Sequence, residues 1–226
     1  MDPSDQIVFV VDDEEQVRVS IVDLLRSAGH NAVPLASAAD YLSIGARPRS
    51  PACLVLDVDL PELNGLELQV ELAGMDHPPI VFITGYGDVP SSVSAMKRGA
   101  VDFLTKPFDA SDLLAAVRTA LEIDALRIRQ NIEVAELEER YLRLTPRERE
   151  VLPLVTGGLL NKQAAAQLGI SEVTLQIHRS RVMQKMEASS LAELVRMAER
   201  LRIPISFSRY GGAFPHEATV IRGRDC

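Results

Sequence analysis

Cys53-Leu54-Val55-Leu56-Asp57-Val58-Asp59-Leu60-Pro61 sets a short apolar run directly against acidic residues. A run of this length, closed by polar residues, reads as a strand covered on both faces, the kind found in parallel sheets. Comparable runs occupy residues 7–11, 30–35, 80–83 and 102–105, each flanked by a segment of helical period. In one such segment Ile21, Leu24, Leu25 and Ala28 recur at three- and four-residue spacing before Gly29, a helix-terminating residue. Pro34 cannot donate to a sheet ladder, which suits an edge position for the second strand. Five such units within residues 1–120 predict an α/β domain built on a doubly wound, five-stranded parallel sheet.

At 226 residues the chain has room for two domains, each with a core of its own. A hydrophobic content of 46% beside 25% charged residues describes an ordinary globular protein. Cys53 lies inside an apolar run and Cys226 at the last position, so no disulfide framework or thiolate metal site is expected, and a reducing cytoplasm fits best. No basic start leads into an apolar stretch, and no apolar run approaches the roughly 20 residues needed to span a bilayer. Export and membrane insertion are therefore not expected. The net charge of -8 is unevenly distributed: residues 1–120 hold 18 acidic and 8 basic side chains, residues 121–226 hold 14 and 16. Between 161 and 185, four basic residues (Lys162, Arg179, Arg181, Lys185) accompany one acid, Glu172. A local basic patch on an acidic chain points to one selective anionic partner.

From Ser111 the apolar period continues through Leu113, Leu114, Val117 and Leu121 into a charge-rich stretch, 124–143, which reads as a linker helix with a solvated face. Glu136 and Arg140 stand in the order that favours pairing along a helix. Thr145-Pro146-Arg147-Glu148 then supplies an N-cap hydroxyl, a proline at the first helical position and a reciprocal glutamate. Short helices are expected over 146–155, 161–168, 172–186 and 190–201. The link Leu168-Gly169-Ile170-Ser171 offers an αL-tolerant glycine and then an N-cap serine, the chemistry of a sharp helix-turn-helix bend. On a wheel of about 100° per residue, Leu175, Val182 and Met186 fall on one side of the 172–186 helix, and Gln176, Ile177, Ser180, Arg181 and Gln184 fall on the other. Such an outer face fits the major groove of DNA, where amides and hydroxyls read base edges and Ile177 meets a thymine methyl. Lys162, Arg179, Arg181 and Lys185 would mainly hold phosphates. His178, beside the packed side, reads as a positioning or phosphate-contact residue rather than a metal ligand. The last 24 residues, rich in Gly, Arg and Pro, carry little pattern and are expected to be loosely held.

Four of the strand candidates lead into groups with chemistry: Asp12 and Asp13 after the first, Asp57 after the third, Thr84 after the fourth and Lys106 after the fifth. In a parallel doubly wound sheet these ends share one edge, the crevice where such folds bind ligands. Three carboxylates there repel one another, and a hard divalent cation such as Mg2+ relieves the repulsion while leaving room for a phosphate oxygen. Lys106 and Thr84 are suited to hold phosphoryl oxygens as negative charge accumulates, so an aspartate attacking phosphorus is the chemistry expected. The bland reading, in which residues 12–15 merely cap the first helix, explains each acid singly but not their joint placement.

With those residues in place, residues 5–120 resemble a CheY-type receiver domain, through Val10-Val11-Asp12-Asp13-Glu14, Leu54-Val55-Leu56-Asp57-Val58-Asp59-Leu60-Pro61, Ile83-Thr84-Gly85 and Phe103-Leu104-Thr105-Lys106-Pro107-Phe108. The resemblance implies strand order 2-1-3-4-5 and Asp57 as the phosphoacceptor, acting with Thr84 and Lys106 as contacts of the phosphoryl group. It implies Mg2+ held by Asp13, Asp57 and the backbone carbonyl of Asp59, with Asp12 assisting through water. It also implies a cis Lys106-Pro107 bond, and Thr84 and Phe103 as the residues that move on activation. Residues 144–202 resemble the LuxR-type helix-turn-helix of the NarL/FixJ family, through Leu144-Thr145-Pro146-Arg147-Glu148-Arg149-Glu150-Val151-Leu152, Asn161-Lys162-Gln163 and Leu168-Gly169-Ile170-Ser171. Gly85-Tyr86-Gly87-Asp88-Val89-Pro90 and Ser190-Leu191-Ala192-Glu193-Leu194-Val195 are similar to the FixJ-like subgroup. This resemblance places Gln176, Ile177 and Ser180 at base-facing positions, with Ser171 and Thr174 among the DNA contacts.

The combined resemblance implies a two-component response regulator: a receiver over 1–120, a helical linker over 121–143, an all-α DNA-binding domain over 144–202 and a tail over 203–226. Its implied partners are a sensor histidine kinase, promoter DNA, RNA polymerase and a second copy of the chain, recruited on phosphorylation through a contact near 190–201. It is no enzyme beyond taking a phosphoryl group from a donor and losing it again. Two other readings use the same residues. One is a regulator that binds DNA without phosphorylation, against which intact Asp57, Thr84 and Lys106 speak. The other is a haloacid-dehalogenase-type phosphatase using Asp57-Val58-Asp59, although that motif usually follows the first strand. Departures from the family pattern occur at Leu60, in place of a common methionine, and at Asp59, whose added carboxylate would alter the lifetime of the phosphoryl group. Ala164 replaces a larger apolar residue and Gln176 a frequent lysine, so weaker phosphate attraction is expected. A shallow salt dependence of DNA binding follows, and a slope on the order of ten phosphates would contradict it.

Overall fold

The computed structural model describes residues 6–85 and 89–204. The chain divides into two compact units, 1–131 and 132–226. The first contains β1 (Ile7–Val11), α1 (Glu15–Ser27), β2 (Asn31–Leu35), α2 (Ala38–Ser43), β3 (Ala52–Asp57), α3 (Gly65–Leu72), β4 (Ile80–Thr84), α4 (Val89–Lys97), β5 (Asp102–Thr105) and the start of α5 (Ala110–Leu142). All neighbouring strands pair in parallel, in the order β2-β1-β3-β4-β5. β2 lies at an edge, where Pro34 costs no interior ladder bond. The expected strands are found, with ends moved by a residue or so, the ordinary uncertainty of a terminus.

Side-chain alternation along the strands sorts the core into two layers. Val8, Val10, Cys53, Val55, Val81 and Ile83 pack with Ile21, Val22 and Leu25 of α1 and Leu113, Val117 and Leu121 of α5. Phe9, Val11, Leu54, Leu56 and Phe82 pack on the other face with Leu68 and Leu72 of α3 and Ala95 of α4. A sheet covered on both faces explains why β3 reads as an unbroken apolar run. Every residue of β3 is buried. Full burial also pushes the Cys53 thiol up and leaves it a free, inert thiol.

The stretch expected to be a linker helix is helical, but its solvated face is interrupted. Asp124 is fully buried, accepting from the backbone N–H of Ala52 at 2.8 Å and pairing with Arg47 and, at 3.0 Å, with Arg127. Arg127 also donates to the His77 carbonyl. A buried carboxylate is tolerated only when it is paired and hydrogen-bonded in this way, so this part of α5 is tied to the loops before β3 and β4. Arg140 does not pair with Glu136 as expected. It reaches Glu187 at 3.1 Å. Both side chains belong to the second unit, and a tertiary partner has displaced the local one.

The second unit holds α6 (Pro146–Thr156), α7 (Asn161–Leu168), α8 (Glu172–Lys185) and α9 (Leu191–Arg200). Leu152, Val155, Leu175, Val182, Met186 and Leu194 form its core, with Leu137 and Leu144 packed alongside. Thr145 and Glu148 form the reciprocal capping box that opens α6. Gly169, at φ 66°, ends α7 in the left-handed region, where a Cβ is strained. Residues 205–226, most of the expected tail, lie outside the described residues, as do residues 86–88 of the FixJ-like segment. Among the described residues no helix is long and apolar enough to cross a membrane.

Glu148 does more than cap: it is 1% exposed and accepts from Lys185 Nζ at 2.7 Å, joining the start of α6 to the end of α8. Burial pushes its carboxyl up, but the hydrogen bond from Lys185 and those from the Thr145 amide and hydroxyl outweigh it, leaving the group below its ordinary value of 4.5. A carboxyl depressed on folding stabilises above its unfolded value and loses that contribution as pH falls through the folded one. Lys185→Gln is therefore expected to lower stability by about 2 kcal/mol at neutral pH, less than for a fully buried pair because the lysine side chain is 33% exposed. Thermal unfolding of the full chain at decreasing pH checks this. The gap between the two proteins should narrow in acid, and a constant gap would contradict the assignment.

Candidate functional site

Parallel pairing carries chemically active residues from distant parts of the chain to one edge. Val11 pairs with Leu56, Asp57 with Ile83 and Thr84 with Thr105, so the ends of β1, β3, β4 and β5 lie side by side. Lys106 follows β5, its backbone N–H donating to the Thr84 carbonyl at 2.7 Å, and the Lys106-Pro107 peptide bond is cis. Its ammonium lies 2.8 Å from Asp12 Oδ2 and 2.8 Å from Asp57 Oδ2. Gly65 fixes the opposite wall. A Cβ there would stand 2.2 Å from the Asp57 backbone carbonyl, so only glycine lets α3 begin this close.

Asp12 is fully buried and Asp57 is 2% exposed, while Asp13 faces outward. Carboxylate oxygens of all three lie within 4.8 Å of one another. Burial pushes the Asp12 carboxyl up, an effect that Lys106 opposes but does not cancel and that the neighbouring Asp57 charge adds to. Burial works against the Lys106 charge as well, yet the hydrogen bonds and charges of Asp12 and Asp57 outweigh it and hold the ammonium above its usual value. The donor set is all oxygen, negative and crowded, which suits a hard divalent cation of the Mg2+ kind.

Asp59 follows in the turn after β3, its backbone N–H donating to Asp57 Oδ1 at 3.2 Å. Its carboxylate accepts from the Thr84 hydroxyl at 3.0 Å. The Asp57-Val58-Asp59 pair thus follows the third strand, and its second acid is turned to a threonine. Phe103 is half-buried on β5, its ring 6.0 Å from Phe82. Two neighbours were not singled out from sequence. Glu14 lies 3.8 Å from the Lys106 ammonium, and Arg18, one turn into α1, donates to the backbone carbonyls of Asp12 and Asp13.

In the second unit, α8 follows the αL turn at Gly169 and is capped by Ser171, which accepts from the Thr174 N–H at 3.1 Å. The Ser171 and Thr174 hydroxyls also bond each other at 2.7 Å. Leu175, Val182 and Met186 are buried. Gln176, Ile177, Ser180, Arg181 and Gln184 are exposed, as the wheel anticipates, and Ile177 keeps 48% of its surface open to solvent. Lys162 is exposed near the start of α7, and half-buried Arg179 donates to Asn161 at 2.9 Å. Lys185 differs from the other three basic residues because its ammonium is engaged by Glu148. His178 is half-buried, its Nδ1 without a hydrogen-bond partner among the described residues.

Comparison with known proteins covers both units of the chain. A family model for the response regulator receiver domain matches residues 8–118, and one for bacterial regulatory proteins of the luxR family matches residues 142–198. Nodulation protein W of Bradyrhizobium diazoefficiens is 50% identical over 198 residues, which is 87% of each chain. Transcriptional regulatory protein FixJ of Azorhizobium caulinodans is 46% identical over 197 residues, 87% of this chain and 93% of that one. A solved structure of the response regulator StyR superposes with a TM-score of 0.75 at 44% identity, covering 87% of this chain and 100% of the other. With a parallel sheet gathering aspartates around a lysine and a capped helix presenting a polar face, the chain belongs to the two-component response regulators of the NarL/FixJ family, FixJ-like, and joins a CheY-type receiver to a LuxR-type helix-turn-helix.

Proposed function

We propose that the chain is a transcription factor switched by phosphorylation of Asp57, with a sensor histidine kinase as donor. The observation that carries this reading is the Lys106 ammonium seated 2.8 Å from both Asp57 and Asp12 at the open edge of the sheet. In the proposed reaction an Asp57 carboxylate oxygen bonds to phosphorus while the P–N bond of the donor's phosphohistidine breaks, and the leaving imidazole takes up a proton. Lys106 keeps its charge and offers it to the phosphoryl oxygens, and Thr84 donates its hydroxyl to one of them. Mg2+ held by Asp13, Asp57 and the Asp59 carbonyl, with Asp12 assisting through water, would supply charge neutralisation at those oxygens. The buried Asp12 aligns Lys106 from the far side.

Esterification then shifts a population: Thr84 and Phe103 move, the face formed by α4, β5 and α5 rearranges, and a homodimer forms. In that dimer α8 enters the major groove of promoter DNA, with Gln176, Ile177 and Ser180 at base edges, Ser171 and Thr174 beside them, and Lys162, Arg179 and Arg181 on phosphates. RNA polymerase is the proposed downstream partner and the cytoplasm the proposed location. The proposed working division is a receiver over 1–120, a linker over 121–143, a DNA-binding domain over 144–202 and a tail from 203.

The test is selection of binding sites from random DNA with the purified full chain, followed by affinity measurement with and without acetyl phosphate and Mg2+. Phosphorylation is expected to tighten binding about tenfold, within the usual range of such couplings, and Asp57→Asn should abolish the response. Equal affinity in both conditions, or an Asp57→Asn chain that responds like the wild type, would contradict the reading.

A further inference from the structure

The hydroxyl of Thr84 carries one proton, and in this structure that proton goes to the wrong acceptor for an activated receiver. Thr84 is fully buried at the end of β4 and donates to Asp59 Oδ2 at 3.0 Å, although 25 residues separate the two in sequence. Asp59 is exposed, but its main chain is wrapped around the reactive carboxylate, with its N–H on Asp57 Oδ1 at 3.2 Å. The nearby ammonium of Lys106 is taken up by Asp12 and Asp57, so Lys106 does not compete for the Asp59 carboxylate. A hydroxyl bonded to an ionised carboxylate is held more firmly than one bonded to a neutral acceptor.

We propose that Asp59 is a positioning residue that latches the switch threonine: its carboxylate holds the Thr84 hydroxyl in the unphosphorylated chain and must release it before that hydroxyl can donate to a phosphoryl group on Asp57. The inference rests on the reading of Asp57 as phosphoacceptor and Thr84 as phosphoryl contact. A single proton cannot serve the carboxylate and a phosphoryl oxygen together, so the bond to Asp59 stabilises the resting state alone. A ligand shifts a two-state equilibrium only by its differential affinity, and the latch is subtracted from that difference. The phosphoryl group adds its own charge beside Asp59, which favours release once the group is in place. Asp59 therefore sets how readily a given phosphoryl donor turns the switch, without touching the phosphoryl group.

A second effect of Asp59 has to be separated from this one, because its charge also repels any incoming anion whether or not Thr84 is bonded to it. Beryllofluoride with Mg2+, a mimic of the aspartyl phosphate, can be titrated into the full chain and its bound fraction followed by 19F NMR. Four proteins form a cycle: wild type, Asp59→Ala, Thr84→Val and the double variant. The latch predicts that Asp59→Ala tightens beryllofluoride binding about tenfold when Thr84 is present and less than about twofold in the Thr84→Val background. Equal gains in the two backgrounds would assign the effect to charge alone and overturn the latch, as would no gain from Asp59→Ala. If Thr84→Val does not fold, Asp59→Asn decides the matter, since its amide oxygen still accepts from Thr84. The latch predicts a smaller gain for Asn than for Ala, and equal gains would overturn it. A wild-type chain that takes up no beryllofluoride would bring down the phosphoacceptor reading itself, and the latch with it.

Discussion

One ammonium group organises the reactive edge. Lys106 Nζ stands between Asp12 and Asp57, 2.8 Å from each, in a place where both carboxylates are almost wholly withdrawn from water. Charges in that setting are tolerated only as a set: each acid needs the lysine, and the lysine, itself mostly buried, needs the acids. The sheet makes the set possible. Its parallel ladder brings the ends of β1, β3 and β5 into register, and the two apolar layers behind them leave no freedom for a one-residue slip. Gly65 adds a steric condition by letting α3 start against the Asp57 carbonyl.

The same rule governs the buried charges away from this edge. Asp124 is satisfied by two arginines and a backbone amide, and Glu148 by a lysine and its own cap. Each ties together segments that would otherwise meet only through apolar contact: α5 with the loops around β3 and β4, and α6 with the end of α8. In the second case the tie anchors, at its last turn, the helix whose outer face carries Gln176, Ile177 and Ser180.

Much of this was legible in the amino-acid sequence, and most of what was not has a common cause. Apolar runs bounded by polar residues locate the strands, Pro34 locates an edge, and parallel pairing is what turns the acids and lysine at strand ends into one cluster. Thr145, Pro146 and Glu148 marked the start of α6 through local chemistry, and the wheel separated Leu175, Val182 and Met186 from Gln176 and Ile177. Most contacts that escaped have partners far apart in the chain and carry no local pattern: Asp124 with Arg47, 77 residues away, Glu148 with Lys185, 37 away, and Asp59 with Thr84, 25 away. Asp124 looked like one more charge on a solvated helix, and Lys185 like one more phosphate contact. Helical spacing favours Glu136 for Arg140, but it does not reveal that Glu187 offers a tertiary alternative. Periodicity reports faces, and it cannot report which buried charge meets which.

In the proposed reaction Asp57, alone among the clustered acids, accepts the phosphoryl group, and Lys106, aligned by Asp12, stabilises it. Reduction of the acetyl-phosphate-treated full chain with borohydride, followed by peptide mass spectrometry, tests this directly because an aspartyl phosphate is converted to homoserine. Homoserine is expected at position 57, with unmodified aspartate at positions 12, 13 and 59. Homoserine at any of those three positions in place of 57, or at none of the four, would contradict it.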